Sequence, residues 1–201
     1  MPRKLSGELA NVPNLITLFR IAVIPLVLLF IDNASPTRSF IATLIYTTAA
    51  VSDFFDGYFA RKLGQTSLLG RFLDPLADKI MVMATLVWMV EHERVPAWLV
   101  VVLLARELAI TGLRAIASSE GLEVSVSDDA KMKTALQMVG ILGLIIHFEY
   151  PMLFTRITVN FHKVGMATLY MSLLFSVFSA VQYVRLFAEA VARRDGAVPA
   201  E

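Results

Sequence analysis

Four aspartates, Asp53, Asp56, Asp74 and Asp78, fall within one short and otherwise apolar stretch of the chain. The first two are three residues apart and the last two are four apart, so each pair would share one face of a helix. A carboxylate in an apolar segment is costly, and it is retained mainly where it faces a polar cavity, pairs with another group or binds a cation. Hard divalent cations prefer carboxylate oxygens, so the cluster predicts a site for Mg²⁺ or Mn²⁺.

The alternative interpretation is that these aspartates are charges at helix ends or partners in ion pairs between helices. One aspartate at a helix end would be interpreted in that way. Four carboxylates gathered in one small volume would repel one another unless a cation neutralised them. The number of carboxylates therefore favours the metal site.

Composition indicates what surrounds this cluster. The chain has 201 residues, of which 57% are hydrophobic and 17% are charged, whereas soluble domains have about 45–50% apolar and about 25% charged residues. We therefore predict an all-α integral membrane protein with a single catalytic domain over residues 1–201 and no nucleic-acid partner. Cysteine is absent, which excludes disulfides and thiolate chemistry.

Six stretches are long and apolar enough to be transmembrane helices, each of which needs about 20 residues. They run from about Leu15 to Ile31, Ser39 to Ala60, Phe72 to Val90, Pro96 to Ile116, Thr134 to Phe154 and Val164 to Leu186. Residues 1–14 would form a juxtamembrane segment and residues 187–201 a cytosolic tail. The bias of lysine and arginine between the loops predicts that both termini and the aspartates face the cytosol, in the inner membrane.

The second and third helices are joined by a short loop, so we expect them to pack antiparallel with the two aspartate pairs opposed. Gly57 and Ala60 would leave space for a bulky ligand close to the backbone, Gly70 would let the chain turn tightly into the third helix, and Arg61 could hold a phosphate. A metal cluster beside these residues suits a substrate that carries a diphosphate.

This segment resembles the CDP-alcohol phosphotransferases, whose signature is D-x2-D-G-x2-A-R-x8-G-x3-D-x3-D. Every fixed position is matched here, namely Asp53, Asp56, Gly57, Ala60, Arg61, Gly70, Asp74 and Asp78. The resemblance implies a six-helix fold of that family and a homodimer. It also implies that two metal ions bind the diphosphate of a CDP-linked lipid while an acceptor hydroxyl attacks phosphorus and CMP leaves.

The resemblance also assigns roles to individual residues. All four aspartates would be metal ligands, and Asp78 would in addition be the general base. The positions that match nucleotide contacts of the family are Gly57, Arg61, Ser67 and Gly70. Asn14 and Thr17, at the start of the first helix, are further candidates for nucleotide binding, although an ordinary helix cap explains them equally well.

The acceptor alcohol is less constrained by the sequence. A phosphorylated acceptor needs cations, and the candidates are Arg106, Arg114, Lys131 and Lys133, although positive-inside topology also explains the loop lysines. NVPNLITLFRI, DPLADK, RELAITGLR and KMKTALQ resemble segments of the bacterial phosphatidylglycerophosphate synthases. This likeness implies CDP-diacylglycerol and glycerol 3-phosphate as substrates, in contact with membrane lipids. Phosphatidylglycerol or inositol phosphate as acceptor, and a divalent-cation transporter, are the alternatives.

Overall fold

The computed structural model describes residues 12–31, 35–63, 68–122, 129–151, 158–194 and 196. This part of the chain contains six α-helices and one antiparallel pair of short strands. In chain order the elements are α1 (Val12–Phe30), α2 (Pro36–Leu63), α3 (Leu68–Glu91), α4 (Ala97–Ser119), α5 (Asp129–Ile146), β1 (Glu149–Pro151), β2 (Thr158–Asn160) and α6 (Phe161–Arg194). Each helix overlaps one of the six predicted stretches.

Polar residues define the starts of two helices. The Ser35 hydroxyl accepts a hydrogen bond from the backbone N–H of Arg38 at 3.3 Å, and Pro36 is the first residue of α2, where its missing N–H does no harm. The Asn160 side-chain oxygen likewise accepts a hydrogen bond from the backbone N–H of Lys163 at 2.9 Å. These caps set the boundaries of α2 and α6.

The prediction of an all-α chain is wrong at one place. The fifth helix was expected to reach Phe154, but α5 ends at Ile146 and β1 pairs with β2, with Tyr150 opposite Val159. The buried Arg94 guanidinium donates to the backbone carbonyls of Leu144 at 3.1 Å and Ile145 at 2.6 Å. Arg94 thereby satisfies carbonyl groups that a helix end leaves without helical partners, which favours termination at this point.

The last helix is longer than the sequence predicted. Residues 187–194 were expected to belong to a cytosolic tail, yet they continue α6 as far as Arg194. Arg194 forms an ion pair with Glu120, at the end of α4, with 2.5 Å between Nη1 and Oε2. Residue spacing could not predict this contact, because Glu120 and Arg194 are far apart in the chain.

Helices α5 and α6 pack more extensively than any other described pair. Glycines make this possible, since a Cβ atom added to Gly165 would lie 2.7 Å from the backbone nitrogen of Leu144. Close backbone approach through small residues is typical of helices that associate in lipid.

One described helix, α6, is long and apolar enough to cross a membrane by length and composition. Large apolar side chains are nevertheless exposed on several other helices, for example Leu29 on α1, Val101 on α4 and Leu174 on α6. Extended apolar surface of this kind marks contact with lipid or with another protein.

Candidate functional site

The two aspartate pairs lie on neighbouring helices in the chain, as their spacing predicted. Asp53 and Asp56 belong to α2, and Asp74 and Asp78 belong to α3. The side chain of Asp78 is 51% exposed. The side chains of the other three aspartates lie outside the described residues.

A buried arginine on α1 joins this cluster. Arg20 is 1% exposed, and its Nη1 atom forms an ion pair with Oδ1 of Asp78. The sequence analysis did not select Arg20, although a charged residue inside an apolar helix is itself a signal of a functional or paired group. The pair places α1 beside the predicted metal site.

Helix α1 also organises the two helices that carry the aspartates, because it packs extensively against both α2 and α3. The sequence had predicted direct antiparallel packing of α2 against α3. Within the part of the chain that the structure describes, α1 is the shared neighbour of both. A helix outside the motif therefore contacts both helices that carry the aspartates.

Tyr46 on α2 shows that the relevant faces of α2 and α3 lie close together. It is seven residues before Asp53, so both fall on the same face of α2. The Tyr46 hydroxyl is buried, and the negative charge of Asp78 on α3 acts on it. Tyr46 on α2 therefore lies close enough to α3 for the charge of Asp78 to act on it.

This arrangement fits a divalent cation by the chemistry of its donors, since four carboxylates on two helices supply the oxygen ligands that such ions prefer. Among the side chains that the structure describes, no group of three or more His, Asp or Glu is close enough to hold a metal ion. Of the four predicted ligands, only Asp78 has its side chain in the described part of the chain.

Most of the predicted nucleotide contacts lie outside the described side chains. These are Asn14, Gly57, Arg61, Ser67 and Gly70. Thr17 is fully buried on α1, close to one helical turn before Arg20. Its position inside the helix, after the start at Val12, is against the interpretation of Thr17 as a helix cap.

A cavity of about 240 Å³ opens beside Asp78, between α3, α4 and α5. Its polar wall includes Asp78, Lys79, Glu107, Lys133 and Gln137, and the remaining wall is largely apolar. The cavity therefore joins the predicted general base to one of the predicted acceptor cations. Residue spacing alone does not show that Asp78 and Lys133 line the same cavity.

An ion pair between Lys133 and Glu107 lies in the wall of this cavity. The Lys133 ammonium donates a hydrogen bond to Oε2 of Glu107, and Nη1 of Arg106 lies 3.4 Å from the same oxygen. Adjacent residues on a helix point about 100° apart, but the long side chains of Arg106 and Glu107 bend toward one another.

Arg106 and Arg114, which were also predicted to bind the acceptor, are not among the described residues that line the cavity. Arg106 donates through Nε to the backbone carbonyl of Ser176 at 2.8 Å, which directs part of its guanidinium toward α6. Arg114 lies over the ring of Tyr183, 5.6 Å from its centroid, although its charge still acts on Lys133. The side chain of Lys131 lies outside the described residues.

Comparison with known proteins identifies the family. A family model described as CDP-alcohol phosphatidyltransferase matches residues 10–178. The chain belongs to this family. The matched range contains all four aspartates, Arg20 and every residue that lines the cavity beside Asp78.

Several members of this family are similar to most of the chain. A protein of Bacillus subtilis is 37% identical over 149 residues, which cover 68% of this chain and 77% of the relative. A protein of Haemophilus influenzae is 34% identical over 183 residues, or 88% of this chain and 92% of the relative. A third, from Wigglesworthia glossinidia brevipalpis, is 33% identical over 178 residues, or 86% and 92%. All three are named CDP-diacylglycerol–glycerol-3-phosphate 3-phosphatidyltransferase.

Proposed function

We propose that this chain transfers the phosphatidyl group from CDP-diacylglycerol to glycerol 3-phosphate, giving phosphatidylglycerophosphate and CMP. The observation that carries the proposal is the cavity that has Asp78 on one wall and Lys133 on another. An acceptor with a hydroxyl at one end and a phosphate at the other would engage a base and a buried cation that line the same cavity. The names of the relatives support the same pair of substrates.

In this proposal Asp78 acts as the general base. Its carboxylate accepts the proton of the acceptor hydroxyl as the hydroxyl oxygen forms a bond to the phosphorus that carries the diacylglycerol. The bond from that phosphorus to the oxygen bridging to CMP breaks, and CMP leaves with that oxygen. Arg20 holds Oδ1 of Asp78, so the carboxylate is oriented before the acceptor arrives.

Asp53, Asp56, Asp74 and Asp78 would hold the metal, for which we propose two ions of Mg²⁺ or Mn²⁺. When bound, such ions neutralise negative charge on the diphosphate and on the leaving CMP. The carboxylates contribute hard oxygen ligands from two helices, which suits either ion. Gly57 and Gly70 would let the nucleotide approach the backbone, and Asn14, Thr17, Arg61 and Ser67 would contact it.

The acceptor phosphate would bind at the cationic side of the cavity. Lys133 lines the cavity directly, and the positive charges of Arg106 and Arg114 act on it. Lys131, two residues before Lys133, would add positive charge at the cytosolic entrance. An acceptor whose phosphate binds here would place its carbon chain along the apolar wall and its far hydroxyl toward Asp78.

We also propose that all six helices lie in the inner membrane, with the aspartates facing the cytosol and both termini on that side. The exposed apolar side chains on α1, α4 and α6 support contact with lipid. A homodimer would cover part of the same surface. A cytosolic site suits the acceptor, because glycerol 3-phosphate is charged and cannot reach a site from within lipid.

The decisive experiment is an acceptor-dependence assay. The purified protein in detergent micelles would be mixed with CDP-diacylglycerol, Mg²⁺ and one acceptor, and CMP release would be measured. We expect CMP release with glycerol 3-phosphate and its loss when EDTA removes the metal. Release that depends on phosphatidylglycerol or inositol phosphate, and not on glycerol 3-phosphate, would show that the proposed acceptor is wrong.

A further inference from the structure

The carboxylate of Glu107 occupies an unusual position, because it bridges two cations at the wall of the cavity beside Asp78. Lys133 is only 8% exposed and donates to Oε2 of Glu107, and Nη1 of Arg106 is 3.4 Å from that oxygen. Glu107 itself is 32% exposed and lines the cavity. Lys133 is therefore buried, whereas the Glu107 carboxylate that neutralises it is partly exposed.

A buried lysine is costly unless an anion compensates its charge. In this structure that anion is Glu107. Lys79 and Arg106 also act on Glu107, and Arg114 acts on Lys133. Among the described side chains, these four cations therefore outnumber Glu107 and Asp78, the two carboxylates that line the cavity. A phosphate monoester carries between one and two negative charges near neutral pH and offers three acceptor oxygens. It would therefore satisfy this surplus better than one carboxylate does.

We propose that Glu107 is a placeholder for the phosphate of the acceptor. In the empty enzyme its carboxylate neutralises Lys133 and Arg106, and an incoming phosphate monoester displaces it from Lys133 and takes over the contact. This inference rests on the proposed function, since it assigns the same cavity to a phosphorylated acceptor. It goes beyond it by giving a carboxylate, and not only the cations, a role in acceptor selection.

The placeholder makes the cavity selective. A neutral alcohol such as glycerol cannot replace the carboxylate at Lys133, because it would leave that buried cation without an anion. A phosphorylated alcohol can replace it, because exchange of one anion for another keeps Lys133 neutralised throughout. Glu107 is thus a specificity-determining residue, because its carboxylate competes with the acceptor phosphate for Lys133. Removal of this carboxylate should strengthen phosphate binding.

The test is competition by inorganic phosphate. The full-length enzyme in micelles would be assayed with CDP-diacylglycerol and glycerol 3-phosphate, and the inhibition constant of inorganic phosphate would be measured. We expect Glu107→Gln to lower that constant at least fivefold and to enlarge the rise in thermal midpoint caused by phosphate without donor lipid. Glu120→Gln is the matched control, because it removes a carboxylate from an exposed ion pair with Arg194, away from the cavity.

An inhibition constant that is unchanged or higher in Glu107→Gln would overturn the proposal, since it would show that Glu107 supports phosphate binding. If Glu107→Gln fails to fold, Glu107→Asp provides the test, because its shorter carboxylate holds Lys133 less closely and should change the constant in the same direction. Phosphatidic acid in the micelles presents the same monoester on a lipid. A response to phosphatidic acid alone would overturn the assignment to a soluble acceptor.

The outcomes separate this inference from the proposed function. If the wild-type protein releases no CMP with glycerol 3-phosphate, the proposed acceptor is wrong. The thermal response of wild type and Glu107→Gln to phosphate still decides the placeholder in that case. If wild type uses glycerol 3-phosphate and the two inhibition constants agree, the placeholder is wrong and the proposed function stands.

Discussion

At the scale of single residues, the candidate site depends on how charges are held in an apolar surrounding. Asp78 lies between Arg20 on one side and the cavity that contains Lys133 on the other. Asp78 was predicted from the motif, whereas Arg20 and Glu107 were not. Their roles depend on partners that are distant in the chain or on the bending of long side chains, and neither property can be read from residue spacing.

We expect Asp78→Asn to reduce CMP release by about 10²-fold or more, since general-base catalysis contributes about that much. An amide cannot accept the proton of the acceptor hydroxyl. Binding of CDP-diacylglycerol, measured by its stabilisation of the protein against heat, should largely remain. Turnover at the wild-type rate would show that Asp78 is not the base.

Replacement of the cation at the cavity wall should affect one substrate selectively. We expect Lys133→Ala to raise the KM for glycerol 3-phosphate by about 10-fold or more, since a charge-assisted hydrogen bond contributes about 1.5–3 kcal/mol. Arg114→Ala should have a smaller effect in the same direction, because Arg114 lies over Tyr183 and not on the cavity wall. The KM for CDP-diacylglycerol should change little in both.

Lys163→Ala is the matched control for these kinetic variants, because Lys163 is an exposed lysine near the start of α6, far from Lys133 along the α5–α6 pair. Its kinetic constants should equal those of wild type. Equal increases in both KM values for Lys133→Ala would contradict a separate acceptor pocket.

At the scale of elements, the contact between α5 and α6 holds Lys133 in place. The Lys133 backbone carbonyl accepts a hydrogen bond from the Ser172 hydroxyl of α6 at 3.0 Å. Farther along the same pair, Gly143 and Gly165 let the two backbones approach closely. The position of Lys133 therefore depends on glycines in another part of the same two helices.

We expect Gly165→Ala to lower the thermal midpoint in detergent by several degrees, which corresponds to about 1–3 kcal/mol for an overpacked contact. The added Cβ would meet backbone atoms of Gly143 and Leu144, which cannot move without separating the helices. Gly112→Ala is the control, because a Cβ there has no atom within 4 Å. It should raise the midpoint slightly through helix propensity, and a similar rise for Gly165→Ala would refute the close contact.

The elements were the part of the structure that the sequence predicted best. Six apolar stretches were predicted to be helices, and a helix overlaps each of them. The hairpin of β1 and β2 was missed, since Arg94 ends α5 from a distant turn and apolar composition alone cannot show that contact. The extension of α6 to Arg194 was missed for a similar reason.

At the scale of the whole molecule, the bundle has a second polar region around His147, in the loop after α5. Burial and the positive charges of Arg94 and His162 lower the pKa of His147 to about 4. Its ordinary value is about 6.5, so between these values the unfolded chain binds a proton that the folded protein does not. Stability should therefore fall as the pH is lowered from about 6.5 toward 4.

The measurement is the thermal midpoint in detergent between pH 7 and pH 4.5. We expect the midpoint of wild type to fall across this range and that of His147→Asn to fall less, because the variant lacks the titrating group. Asparagine suits this position, since His147 has a φ of 61° and asparagine tolerates this left-handed conformation. Identical slopes for wild type and variant would show that His147 does not contribute.

The amino-acid sequence by itself determined the helices, the family and the helix faces that carry the aspartates, because these depend on local composition and spacing. Only the tertiary structure decided which charges meet. It placed Arg20 against Asp78, Glu107 between Arg106 and Lys133, and both Asp78 and Lys133 on the wall of one cavity. The physical reason is that compensation of charge in an apolar interior depends on distances of a few ångströms between helices, which no periodicity within one helix specifies.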